Sequence, residues 1–154
     1  MRSSVLLTML LFSACRSTPE PKKAAPTVLV SLQREACFGK CPLYSVRVMT
    51  DGAVTFEGER FVAVTGTSTA QLDPAALGTL VARLEASGFE RWKPAYTTRE
   101  VTDLATVELR FKDKTIRHYL GDAHAPAELT ALEADVDTLL GTSQWVTGTG
   151  GAAQ

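Results

Sequence analysis

Between Tyr44 and Phe56 the sequence alternates apolar and polar side chains on both sides of an Asp51-Gly52 pair. Tyr44, Val46 and Val48 share one parity, with Ser45, Arg47 and Met49 on the other. Val54 and Phe56 resume the pattern beyond the pair, with Thr55 and Glu57 facing the opposite way. A period of two is the signature of a half-buried strand. Asp-Gly between two such runs predicts a tight hairpin, because both residues tolerate positive φ. Few chains can accommodate that hairpin without building the rest of an antiparallel sheet beside it.

The remaining elements follow from local signals. Residues 28–32 form a short β-rich run, and Gly58-Glu59 reads as a second turn leading into a strand at 60–64 (RFVAV), with 66–71 (GTSTAQ) as a polar connector. Asp73-Pro74 predicts a helix start, Asp as N-cap and Pro at the first helical position. Leu77, Leu80, Val81 and Leu84 then supply one apolar stripe, which Gly88 stops with Phe89 as its hydrophobic contact. Val107, Leu109 and Phe111 alternate with Glu108 and Arg110. Lys112-Asp113-Lys114 turns the chain, and 115–120 pairs back. Pro126 opens the last helix, with Leu129, Leu132, Val136 and Leu139 as its stripe and Gly141 as its stop. The order β-β-β-β-α-β-β-α predicts an α+β fold, an antiparallel sheet with two helices packed on one face.

The whole chain has 154 residues, 45% of them hydrophobic, which suits one domain with a real core. Its formal net charge of −1 gives no support to nucleic-acid binding, which needs a basic face. No apolar run approaches the ~20 residues that span a bilayer.

At the N-terminus, Arg2 precedes an apolar stretch at 5–12 (VLLTMLLF), followed by Ser13, Ala14 and Cys15. A charged start, apolar middle and small residues form a secretory signal. FSAC resembles the bacterial lipobox. The resemblance implies a lipoprotein signal peptide at 1–14, cleavage before Cys15, a diacylglyceryl group on its thiol and an acyl group such as palmitate on its amine. Phe12 departs from the usual Leu, and a plain signal peptide with another cut, or a buried strand, are the alternatives. Arg16 after the cysteine, by the same resemblance, favours the outer membrane of the cell envelope. Residues 15–26 then form a lipid-anchored cysteine with a Pro-rich tether, 27–146 a single domain, and 147–154 (TGTGGAAQ) a disordered tail.

With Cys15 acylated, Cys37 and Cys41 remain as a pair in an oxidising compartment, and Gly39 between them permits the sharp turn a disulfide needs. A redox-active pair is the alternative, though the residues after Cys41 read as a strand, Lys40 alone in a loop is thin support as a cation, and the spacing is three residues where thioredoxin-like motifs have two. A metal site would need His118 and His124 as further ligands, and no metal is expected. His118 falls in a strand, as a satisfied or solvent-facing histidine; His124 lies next to Asp122 in a loop. Glu85, Glu90, Glu133, Asp135 and Asp137 read as solvated helix faces, and no catalytic or cofactor-binding residue stands out. Trp92 and Tyr96 lie in an aromatic-rich irregular segment, either a candidate binding surface or a lid on the sheet edge. Trp145 reads as a plug docking the chain end.

The pattern CFGKCPLYSVRV with DG and VxFxG after it, then Gly88-Phe89, Tyr96, Thr102-Asp103, LExxVD and Trp145-Val146, resembles an uncharacterised family of bacterial envelope domains, often lipoproteins. The resemblance covers about residues 28–146 and implies no reaction. The element order is also distantly like β-lactamase-inhibitor and PepSY-type modules, which bind proteins. Together these predict a membrane-anchored binding or scaffolding domain with an envelope protein as partner and no nucleic acid. The main alternative is a thiol-disulfide redox protein using Cys37 and Cys41; a small enzyme with an unrecognised site is a third.

Overall fold

The structure, a computed structural model, describes residues 24–98 and 102–149. The 1–14 segment, Cys15, most of the tether and the last five residues lie outside the described residues.

The elements run β1 (Val28–Arg34), β2 (Leu43–Met49), β3 (Ala53–Arg60), β4 (Gly66–Gln71), α1 (Pro74–Ala86), β5 (Ala95–Tyr96), β6 (Thr106–Phe111), β7 (Lys114–Tyr119), α2 (Ala127–Leu139) and α3 (Ser143–Val146). The fold is α+β, with a seven-stranded sheet in the order β4-β3-β2-β1-β6-β7-β5. All pairings are antiparallel except β5 with β7. The β2–β3 hairpin forms, but of the Asp51-Gly52 pair only Gly52 takes positive φ, +85°. Its N–H donates to the Met49 carbonyl at 2.9 Å, so Thr50 and Asp51 are the central turn residues, and a Cβ on Gly52 would press on the Leu72 carbonyl at 2.7 Å.

One face of the sheet is apolar. Val30 and Leu32, Tyr44 to Val48 on alternate positions, Val54, Phe56, Val107 to Phe111 on alternate positions, and Ile116 are buried there. Leu80 and Leu84 of α1, Leu129, Leu132 and Val136 of α2, and Trp145 of α3 join the same cluster. The other face is polar, with Arg47 paired to Glu57 and Arg117 to both Glu35 and Glu108. Asp73 caps α1 by accepting the Ala76 N–H at 2.7 Å, a bond whose loss costs about 1 kcal/mol in such caps.

The structure differs from the sequence expectation at five places. No turn forms at Gly58-Glu59; β3 runs through both residues. Gly58 is required because the chain folds back over it, so that a Cβ would overlap the Val64 carbonyl oxygen. Of the expected strand at 60–64 only Arg60 is in a strand, as the last residue of β3. Residues 61–64 are a loop docked on α3, where the Ala63 and Val64 N–H groups donate to the Val146 and Trp145 carbonyls at 3.0 and 2.9 Å. The fourth strand is instead the polar 66–71 segment. It buries neither face and is held by its ladder to β3, so it carries no apolar alternation. Finally, β5 adds a parallel strand, and the helix at Pro126 is followed by a third one, too short to show a period. Trp145 on that helix stacks on Phe56 at 4.9 Å between ring centroids.

Among the described residues, every buried core residue lies between Val30 and Trp145.

Candidate functional site

Because β1 ends where β2 begins, Arg34 and Tyr44 are register partners. Arg34 shares the parity of Val30 and Leu32, so its side chain is directed with Tyr44 toward the helices. Asp137 on α2 meets them. Its Oδ2 accepts from Arg34 Nε and Nη2 at 2.9 and 2.6 Å. Its Oδ1 accepts from the Tyr44 hydroxyl at 2.6 Å and from the Thr142 hydroxyl at 2.9 Å. Arg34 Nε also reaches the Tyr44 oxygen at 3.1 Å. Burial pushes the Tyr44 hydroxyl well above its ordinary pKa, and the adjacent Asp137 charge pushes it further. Burial opposes the Arg34 charge, but Asp137 and Tyr44 outweigh it and hold the guanidinium above its ordinary value. Both carboxylate oxygens are occupied, so Asp137 acts as a brace between sheet and helix and has no free lone pair directed at a substrate.

A cleft of about 510 Å³ opens beside this network, lined among others by Arg34, Pro42, Tyr44, Asp137, Thr142 and Val146. Pro42 and Tyr44 belong to the CFGKCPLY segment. Cys37 and Cys41 of that segment are joined by a disulfide with Cα atoms 5.8 Å apart. Closing so short a loop contributes about 2 kcal/mol through the unfolded chain. No helix begins at either cysteine; the segment between β1 and β2 is bends and irregular chain.

The disulfide loop presents Phe38 at 87% exposure. Its N–H donates to the Asp103 carbonyl at 3.3 Å, linking this loop to the one before β6. Phe61, Leu104 and Leu120 are the other exposed large apolar side chains among the described residues. Phe61 follows β3, Leu104 precedes β6 and Leu120 follows β7. By the strand registers all four lie on connections at one end of the sheet, the end opposite the point where the chain enters β1. Phe61 and Asp103 hold positive φ, +56° and +77°. For a bulky residue such as Phe61 that conformation costs about 1–2 kcal/mol. Lys112, in the β6–β7 turn at the other end of the sheet, holds φ +54° as well.

A second polar group sits inside the core. His118 on β7 and Glu133 on α2 are both almost fully buried, with Nδ1 and Oε1 2.9 Å apart. Tyr96 packs edge-on against the His118 ring at 6.5 Å. Glu133 Oε2 has no hydrogen-bond partner among the described residues. This corrects the reading of Glu133 as a solvated helix residue, and Asp137 is corrected likewise. The signal was present: Leu129, Leu132, Glu133 and Val136 fall at i, i+3, i+4 and i+7, so Glu133 sits in the apolar stripe itself.

Asp122 accepts the backbone N–H groups of Thr98 and His124, both at 2.9 Å, and those bonds hold its carboxyl below its ordinary pKa. His124 Nδ1 lies 3.2 Å from the same carboxylate. Among the described residues no group of three or more His, Cys, Asp and Glu side chains is placed to hold a metal ion.

Trp92 and Tyr96 fall elsewhere than on open surface. Tyr96 is buried in β5, where its hydroxyl accepts the Lys93 N–H at 3.1 Å. Trp92 is half-buried, with its ring edge-on to Phe89 at 6.3 Å and its carbonyl accepting from Lys114 Nζ. The segment closes the sheet edge beside β7. The exposed aromatics are instead Phe38 and Phe61, which the sequence placed in the disulfide loop and in an expected strand.

No curated protein matches the chain. Residues 28–140 match the family described as a domain of unknown function, DUF6438, a stretch reaching from the first residue of β1 through α2. The chain belongs to that family.

Proposed function

We propose that this chain is a lipoprotein of the bacterial cell envelope, held in the outer membrane by acyl chains on Cys15, whose domain binds or scaffolds an envelope protein without catalysing a reaction. The lipobox-like FSAC supports the address. The observation that carries the binding function is the loop end of the sheet. It gathers Phe38, Phe61, Leu104 and Leu120 in the open, and it holds the most exposed of them on a disulfide-closed loop. Exposed apolar side chains scattered singly need no explanation; four on the connections at one end of the sheet, opposite the end where the chain enters β1, favour a protein-binding surface there. Lys40 and Arg60 on this rim are balanced by Glu59 and Asp103, which suits a protein surface better than an anionic lipid. The alternative, thiol-disulfide exchange at Cys37 and Cys41, has less support, because neither sulfur stands at a helix N-terminus that would stabilise a thiolate.

The test has two arms. Cys15→Ala should move the chain out of the membrane fraction and abolish labelling by a fatty-acid analogue; retention of either would refute the anchor. A photoreactive phenylalanine analogue at position 38 should give a discrete cross-linked species in cells. The same analogue at Thr55, on the polar sheet face, should give none. Equal cross-linking at both positions would refute the binding surface.

A further inference from the structure

The two edges of the sheet are not alike. At one, β5 has two residues, too short to template another strand. At the other, β4 presents six residues, Gly-Thr-Ser-Thr-Ala-Gln, five of them exposed. Edge strands are ordinarily protected by a charge, a proline, a bulge or a covering element. β4 has no charge and no proline, and its register with β3 runs without a shift from Ala53↔Gln71 to Gly58↔Gly66.

The orientation of its free groups follows from one bond. The Leu72 N–H donates to the Gly52 carbonyl at 3.0 Å, while Ala53 is opposite Gln71. In an antiparallel ladder that makes Ala53↔Gln71 a non-hydrogen-bonded pair, so Ala70, Ser68 and Gly66 exchange bonds with β3. The N–H and C=O groups of Thr67, Thr69 and Gln71 therefore point away from the sheet.

We propose that β4 is a self-association edge, pairing antiparallel with β4 of a second copy about a two-fold axis at Thr69. In that register Thr69 faces Thr69 of the second copy and Thr67 faces its Gln71, and each facing pair exchanges two backbone bonds. A two-fold contact demands a patch complementary to itself. β4 meets that demand: no like charges oppose one another, and the central pair is Thr against Thr, a favourable cross-strand combination. A foreign peptide would find backbone groups but no large apolar or charged side chain on β4 to select it, and strand-addition sites draw specificity from such contacts. The product is a continuous fourteen-stranded sheet.

Sedimentation equilibrium on the chain from Ala24 onward, which keeps every buried core residue among the described residues, tests this. The wild type should pass from monomer to dimer between about 1 and 100 µM, the range of weak interfaces. Thr69→Lys sets like charges against each other at the axis and should weaken association at least ten-fold. Thr69→Pro removes an outward N–H that the β3 ladder does not use, and should do the same with the thermal transition retained. A wild type that stays monomeric across this range overturns the proposal. So does a T69K variant that dimerises like the wild type, or a dimer dissolved by Phe38→Ser with Phe61→Ser and untouched by T69K.

Discussion

Replacing Asp137 by Asn tests whether the Arg34–Tyr44–Asp137 network braces α2 against the sheet. The comparison that decides it is internal. Arg34–Asp137 and Arg47–Glu57 have nearly the same geometry, closest approaches of 2.6 and 2.7 Å. They differ in solvent: the first pair keeps 20% and 18% of its side-chain exposure, the second 46% and 47%. Removing one partner of a fully buried pair costs about 3–5 kcal/mol, because the other charge is left unpaired. Residual water at Arg34 brings the expectation for Asp137→Asn to about 3 kcal/mol by the same reasoning. Glu57→Gln, on the polar face, should cost under about 1 kcal/mol. Urea unfolding followed by tryptophan fluorescence is suitable, since Trp145 is stacked on Phe56 in the core. With a denaturant slope of about 1.5–2 kcal/mol/M, Asp137→Asn should lower the midpoint by about 1.5–2 M. Tyr44→Phe, which keeps the ion pair but loses both the bond to Asp137 and the one accepted from Arg34 Nε, should cost about 1.5–3 kcal/mol. The Tyr44 pKa is raised in the folded state, so its contribution is complete below the ordinary tyrosine value of 10.0 and declines as pH rises beyond it. Tyr44→Phe should remove that alkaline slope. Equal midpoints for Asp137→Asn and Glu57→Gln would refute the brace.

The buried His118–Glu133 pair should behave as a coupled unit. Glu133→Leu leaves His118 Nδ1 without its partner and should cost about 1–3 kcal/mol, whereas the double change to leucine at both positions should recover most of that loss. A double variant as unstable as the sum of the singles would show the two groups to be independent. Asp122 titrates in the opposite direction to Tyr44: its pKa is lowered from 3.8, so its stabilisation is present above that value and is lost as pH falls through the folded-state value. Asp122→Asn should therefore flatten the acid limb of a stability-against-pH curve, and an unchanged limb would exclude Asp122 as its source.

The parts of the fold that could be read from sequence are those where burial imposes a period. The β2–β3 hairpin, the β6–β7 hairpin, the Asp73 cap and the stripes of α1 and α2 each repeat a local rule that the core enforces. β4 escaped because an edge strand held by backbone bonds has no face to pattern. The 60–64 run misled for the converse reason: Val62 and Val64 are apolar because they pack on the core from a loop. Arg34, Tyr44 and Asp137 are separated by up to 103 residues, and nothing local joins them until β1, β2 and α2 are placed in space. Cys37 and Cys41 were legible as a pair once Cys15 was assigned to lipid and the domain to an oxidising compartment, with Gly39 between them to allow the turn. That their loop exposes Phe38 was not, since exposure depends on the absence of a neighbour.

The sheet also sets a length. The chain enters β1 at Val28, and the apolar rim lies beyond Arg34, about 23 Å away at the usual rise of a strand. If Cys15 is fixed in a bilayer, the twelve steps from it to Thr27 add at most about 40 Å when fully extended. Phe38 would then sweep a hemisphere roughly 60 Å in radius on those two spans, and a partner outside it would go unmet however well its surface fits. Each residue deleted from the tether shortens that radius by about 3.3 Å. The number of residues before Val28 would thus determine which layer of the envelope the domain can touch.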